Sequence, residues 1–159
     1  MRTSRSPIFT TALLCAALAL AVTAAAADQH SGTWKMNPGK SQYSPGPAPK
    51  STTVKVEADE KGVKIDAELV NADGSPAHVQ YDAKFDGKDY PVTGIGYADA
   101  VSVKRIDANT IEATMKKGGQ VTMIVTTKLS KDGKTRTSTF KGKDAEGHDL
   151  LNVVVSDKQ

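Results

Sequence analysis

From Ser51 onward, apolar and polar residues alternate in short stretches. Val54 and Val56 alternate with Thr53 and Lys55, and Val63, Ile65, Ala67 and Leu69 alternate with Lys64, Asp66 and Glu68. A period of two sends successive side chains to opposite faces of an extended strand, so each stretch has one face for a core and one for water. The pattern returns in Val79, Tyr81, Ala83 and Phe85, in Val101 and Val103, and in Ile111, Ala113 and Met115. The run 121–129 is apolar on both faces for part of its length, which predicts a central strand. Residues 135–140 and 150–155 supply two more strands.

The punctuation predicts hairpins. Asp73-Gly74, Asp86-Gly87 and Asp132-Gly133 suit two-residue turns of type I′, in which both central residues take positive φ. Gly62, Gly118-Gly119, Gly147 and the trio Asp107-Ala108-Asn109 stand at similar junctions. Connections of about two to six residues cannot hold a crossover helix, so consecutive strands pair antiparallel in a meander of about eight or nine. No segment of the region beyond residue 27 has the period of an amphipathic helix. In 37–50, Pro38, Pro45, Pro47 and Pro49 remove backbone donors and force extended geometry, predicting an irregular segment packed over one end of the sheet. A meander has two free edges, and closure removes both. The expected fold is therefore all-β, an antiparallel up-and-down, lipocalin-like barrel, with an open, strongly curved sheet as the alternative.

The first 27 residues follow a different pattern. Arg2 and Arg5 precede an uncharged run, 6–27, whose continuous apolar part, 12–22, leads into the alanines 24–27. A positive start, a short apolar block and small residues at Ala25 and Ala27 form the layout of a secretory signal peptide, with cleavage between Ala27 and Asp28. The strongly apolar part is about half the roughly 20 residues a spanning helix needs, so no stable membrane span is expected after cleavage. The expected product is one domain, 28–159, in the periplasm or outside the cell.

Removing 27 of 159 residues leaves 132, enough for a core without covalent staples. It also removes Cys15, the single cysteine, and with it any disulfide, thiol nucleophile or cysteine-ligated zinc. Lys plus Arg falls from 21 to 19 as Arg2 and Arg5 leave, against 18 Asp plus Glu, so the net charge is about +1. Lysines and acids are interleaved, as on an ordinary solvated surface. Nucleic acid is not an expected partner.

At Gly32-Thr33-Trp34-Lys35 a Gly-x-Trp precedes the meander. This resembles the opening of the calycin superfamily, the lipocalins and fatty-acid-binding proteins, whose tryptophan closes one end of the barrel. The likeness spans about residues 31–157 and implies architecture and an interior that can take a small apolar or amphipathic molecule. It transfers no ligand site. The fatty-acid-binding Arg-x-Tyr would fall near Val153 to Val155, and the lipocalin Thr-Asp-Tyr is absent, since Lys88 precedes Asp89-Tyr90. The proline-rich segment is too short and broken for the helical pair of the fatty-acid-binding proteins. The chain also resembles a group of small secreted bacterial proteins that share Gly-Thr-Trp-Lys and Tyr-Ser-Pro-Gly-Pro, here at Tyr43 to Pro47, a likeness that carries no function with it.

Candidate chemistry is sparse. His30, His78 and His148 lie in polar or turn contexts without a second ligand at metal spacing, and read as solvated surface residues. Asn71-Ala72-Asp73-Gly74-Ser75 lacks the repeating ligands and closing Glu of a calcium loop. Gly94-Ile95-Gly96 has no third glycine and no following helix, so it reads as a bend or bulge beside Tyr97 rather than a dinucleotide fingerprint. Carboxylates sit in turns and on wet faces, and no cofactor, metal or enzymatic activity is expected. Arg105 and Arg136 are the arginines beyond residue 5, and either can fork onto an acidic ligand or stack on Trp34. Arg136, in a late strand, is preferred. The candidate ligand-binding set is Trp34, Arg136, Tyr81 and Tyr97. The alternative is a solid-cored envelope or extracellular interaction module using its lysine-rich outer face or a strand edge.

Overall fold

A computed structural model describes residues 28–143 and 147–159; the expected signal peptide, 1–27 with Ala27 at its cleavage point, lies outside the described residues. Ten strands follow in order: β1 (Gly32–Met36), β2 (Ser51–Ala58), β3 (Gly62–Val70), β4 (Pro76–Lys84), β5 (Asp89–Thr93), β6 (Ala100–Asp107), β7 (Thr110–Lys117), β8 (Gln120–Leu129), β9 (Thr135–Lys143) and β10 (Asp149–Lys158). Each pairs antiparallel with its sequence neighbour, and β1 also pairs with β10, so the sheet closes into an up-and-down barrel. The closed form, not the open curved sheet, is the one adopted.

The period-two faces lie as the pattern predicts. Val63, Ile65 and Ala67 of β3, Ile111, Ala113 and Met115 of β7, and Met123, Val125 and Leu129 of β8 all belong to the buried core. Cross-strand pairs such as Ala113 with Val125 and Val56 with Ile65 stack the inward residues in layers.

Four expectations need correction. The strand count is ten rather than eight or nine, because β5 has five residues with Pro91 at its centre, and a proline there hides a strand from pattern reading. It is weakly joined, matching Gln80 and Tyr81 of β4 on one side and Ala100 to Ser102 of β6 on the other. Second, β8 is not covered on both faces: Val121 and Ile124 are 57% and 40% exposed. In a closed single-layer barrel nothing covers the outside.

Third, the Asp-Gly turns are not type I′. Gly74, Gly87 and Gly133 have positive φ, but no aspartate or other non-glycine residue among those described does. Each aspartate instead keeps an ordinary φ and accepts the backbone N–H two residues on, Asp73 from Ser75, Asp86 from Lys88 and Asp132 from Lys134. These are Asx turns in which the glycine alone takes the left-handed step. A turn with positive φ at both centres does occur, at Gly118-Gly119, where φ is 55° and 81°.

Fourth, the proline-rich segment does not lie over a barrel end. β1 covers β10 only from Ser156 to Lys158, which leaves the rest of that longer strand with unpaired backbone groups. Residues 37–44 satisfy them through Asn37 N–H to Val155 O (2.8 Å), Gln42 N–H to Val153 O (2.8 Å) and Leu151 N–H to Ser44 O (2.7 Å). The segment, with one 3-10 turn at Pro38–Lys40, is part of the wall.

Candidate ligand cavity

The interior holds a cavity of about 140 Å³. Its wall comes from the inward faces of the strands: Val54, Ile65, Ala67, Val79, Ile111, Ala113, Met115, Val125 and Phe140 among others. Alanines at 67 and 113, where other strands place larger side chains, leave this space open. The cavity is smaller than the roughly 300–1,000 Å³ of pockets for drug-sized ligands and close to the engineered ~150 Å³ cavity that takes benzene, so it fits a narrow chain or a single ring.

The N-terminal turn closes the floor. Asp28 accepts the backbone N–H of His30 at 2.9 Å and pairs with Arg105 of β6, whose guanidinium also donates to Asp59 O (3.0 Å) and lies over the Phe85 ring at 4.4 Å. Ser31 bonds both backbone groups of Ala58. Trp34 is fully buried and donates its indole N–H to His30 O at 3.0 Å. These contacts fix His30 under the barrel.

His30 is therefore not a surface residue. It is 2% exposed, lines the cavity, and its Nε2 meets no hydrogen-bond partner. Burial, helped by Arg105 and Arg136 and opposed by Asp28 and Asp107, lowers its pKa to about 4, so the ring is neutral at pH 7. Nothing in the alternation marks a turn histidine as buried; the Asp28 cap two residues before it is the signal that shows the turn.

Arg136, Ser138 and Phe140 share the inward face of β9 and line the cavity. The Arg136 guanidinium meets no acceptor among the described residues. Burial lowers its pKa and Tyr81 partly offsets this. Tyr81 faces Arg136 from β4, and burial pushes its phenol up to about 12 despite that cation. Thr127 and Ser138 hydroxyls bond each other at 2.9 Å. The polar end of the cavity thus holds an unpaired cation, a neutral phenol and a neutral imidazole within an otherwise apolar wall.

Of the residues singled out from sequence, Arg136 and Tyr81 come together. Tyr97 is 42% exposed and lines both the cavity and an outer groove shared with Val121, Met123, Ile124 and Leu150, which makes it part of the mouth. Trp34 packs in the floor and is not among the cavity-lining residues. The expected arginine stacking on it is not found: Lys158 Nζ lies over the indole at 5.1 Å, while Arg105 covers Phe85. His78 bonds Asp66 at 2.9 Å on the exterior. Among the described residues no three His, Cys, Asp or Glu side chains gather as a metal site, and no helix is long and apolar enough to cross a membrane.

Together the strands form a closed, antiparallel up-and-down β-barrel around an interior cavity with one polar end. No protein-family model matches the chain, and no curated protein matches it in sequence. Among solved structures, it is similar to zebrafish ileal bile acid-binding protein complexed with cholic acid, with a TM-score of 0.54 and 14% identity, covering 82% of this chain and 99% of that one. At that identity the likeness is one of fold.

Proposed function

We propose that the protein binds a small apolar or amphipathic molecule inside the barrel, apolar part against the β3, β7 and β8 residues and polar end toward Arg136. The observation that carries this is the unpaired Arg136 guanidinium facing a cavity otherwise walled by aliphatic residues. Arg136 is half-buried, and a cation partly withdrawn from water without an acceptor gains from a ligand that supplies one. Cholic acid, bound by the similar zebrafish barrel, is itself amphipathic. The role is one of binding rather than catalysis, exercised outside the cytoplasm, as the leader-like pattern of residues 1–27 suggests.

Native mass spectrometry on the protein isolated from its own source tests the reading. The expected result is an added small-molecule mass that disappears on denaturation. A bare polypeptide mass under both conditions, together with no uptake of added 1-octanol, overturns it. A solid-cored interaction module is supported by the outward apolar residues Val121, Ile124 and Leu151, the last 51% exposed, but it leaves the cavity and Arg136 unexplained.

A further inference from the structure

We infer that the polar end of the cavity is a subsite for an anionic head group, in which Arg136 supplies a fixed charge and His30 takes up a proton as the anion binds. This rests on the reading that the barrel holds an amphipathic molecule, and it names the head group's class: carboxylate, sulfonate or phosphate monoester.

Two independent features point to the same place. Arg136 on β9 presents donors to the cavity with no acceptor among the described residues. His30, 98% buried by its 2% exposure, lines the same cavity from the N-terminal turn with Nε2 unpartnered. Buried polar atoms in native proteins nearly always have partners, so an unpartnered His30 Nε2 beside a half-buried guanidinium without an acceptor marks a place that a ligand completes. Arginine donates only, and the Tyr81 hydroxyl beside it is held protonated, so what they lack is an acceptor. An anion satisfies both with charge-assisted bonds.

Four charged groups face His30: Asp28 on its own turn, Arg105 and Asp107 from β6, and Arg136 from β9. Both acids are already engaged. Asp28 pairs with Arg105 and caps the His30 N–H, and Asp107 accepts the Asn109 N–H at 2.8 Å. The two acids favour the charged ring and the two arginines oppose it, while burial, the largest influence, holds the ring neutral at pH 7. An added anion tips the balance toward the imidazolium, whose second N–H then completes the site. Because the complex binds a proton that the free protein does not, affinity rises as pH falls from neutrality toward about 4, where the free ring itself protonates.

Isothermal titration calorimetry with octane-1-sulfonate, an anion at every pH used, and with uncharged 1-octanol tests this at pH 7.5 and 5.0, in two buffers of different ionisation heat. We expect the sulfonate to bind about tenfold tighter at pH 5.0 than at pH 7.5, with buffer-dependent heats that report proton uptake, while octanol shows neither effect. His30→Gln keeps the backbone carbonyl that holds Trp34 and should bind the sulfonate at pH 7.5 while losing the pH dependence and the proton uptake. Arg136→Gln should bring the sulfonate down to the octanol affinity. Octanol binding with sulfonate rejected, or sulfonate binding without proton uptake in the unaltered protein, overturns this inference and spares the cavity reading. Failure of both probes overturns the two together. The proton count comes from the unaltered protein, so it stands even if a variant fails to fold.

Discussion

Thr127 Oγ1 and Ser138 Oγ lie 2.9 Å apart inside the barrel, one hydroxyl donating to the other. Thr127→Val keeps the shape and strands the Ser138 hydroxyl, so it should destabilise by about 1–2 kcal/mol, whereas Thr127→Val with Ser138→Ala should recover most of that loss. Urea midpoints of the two singles and the double measure the coupling. His30 gives a second prediction at this scale. Its folded pKa of about 4 lies below the unfolded value near 6.5, so between those two values the unfolded chain binds the extra proton. Stability is fully present above about pH 6.5 and falls toward pH 4 by about 3 kcal/mol, and His30→Gln should flatten that stretch of a urea-midpoint against pH profile. The turn carboxylates Asp73, Asp86 and Asp132, held below their ordinary values by hydrogen bonds from Ser75, Lys88 and Ser130 in turn, act in a lower window and leave this slope alone. Arg136 was legible from its place in a late strand, and the structure sets it on the inward face with Ser138 and Phe140. His30 was not: a residue in a turn belongs to no alternation, and its burial comes from contacts with Asp28, Arg105 and Trp34 that form only once β1 and β6 are in place.

Hairpins are where local sequence and element geometry meet. At Gly118-Gly119 both residues have positive φ, 55° and 81°, and a Cβ added at Gly118 meets nothing within 4 Å. Asparagine tolerates that conformation and reduces the freedom of the unfolded chain, so Gly118→Asn should leave the melting temperature unchanged or raise stability by about 0.5 kcal/mol, while Gly118→Val should lower it by about 1–2 kcal/mol. Gly94 is the opposite case. With φ at 85°, an added Cβ would lie 1.6 Å from His78 O of β4. Gly94→Ala must push β5 off β4, where two residue pairs make the whole register, and should cost about 2 kcal/mol or more by urea denaturation. The Gly94-Ile95-Gly96 bend was legible as a bend, but its purpose lies in a strand 16 positions earlier in the chain, which local pattern does not report. The same limit applies to β5, whose Pro91 breaks the propensity signal while neighbours on both sides hold it in the sheet. It applies again to the proline-rich segment, whose role follows from β10 being twice as long as β1.

At the scale of the whole barrel, alternation fixes which residues face inward and short turns force neighbours to pair, so the meander was readable from the chain, whereas closure, which an open curved sheet rivalled, rests on the β1–β10 pairing. Whether the interior is filled was not readable either, because that depends on how side chains of different size meet across the barrel, and period-two pattern treats alanine and leucine alike. Ala113 is where that distinction can be tested. It is 5% exposed and lines the cavity of about 140 Å³. Ala113→Leu adds three carbons to that space. Restoring roughly half of the missing contacts is worth ~1–2 kcal/mol at ~24 cal/mol per Å³, against a strain of ~1–3 kcal/mol if the wall cannot adjust, so stability should change by no more than about 1 kcal/mol. Occupancy should respond far more strongly, because the leucine takes the volume a ligand chain needs: 1-octanol binding by calorimetry should be lost while the melting temperature stays close to that of the parent. Val121→Ser, on the outer groove at the mouth, removes apolar surface without touching the interior and should leave octanol affinity within about twofold, since an exposed substitution away from the binding volume changes little. If Ala113→Leu bound octanol as tightly as the parent and Val121→Ser did not, the apolar ligand would be sitting in the outer groove, and the barrel interior would be a core rather than a site.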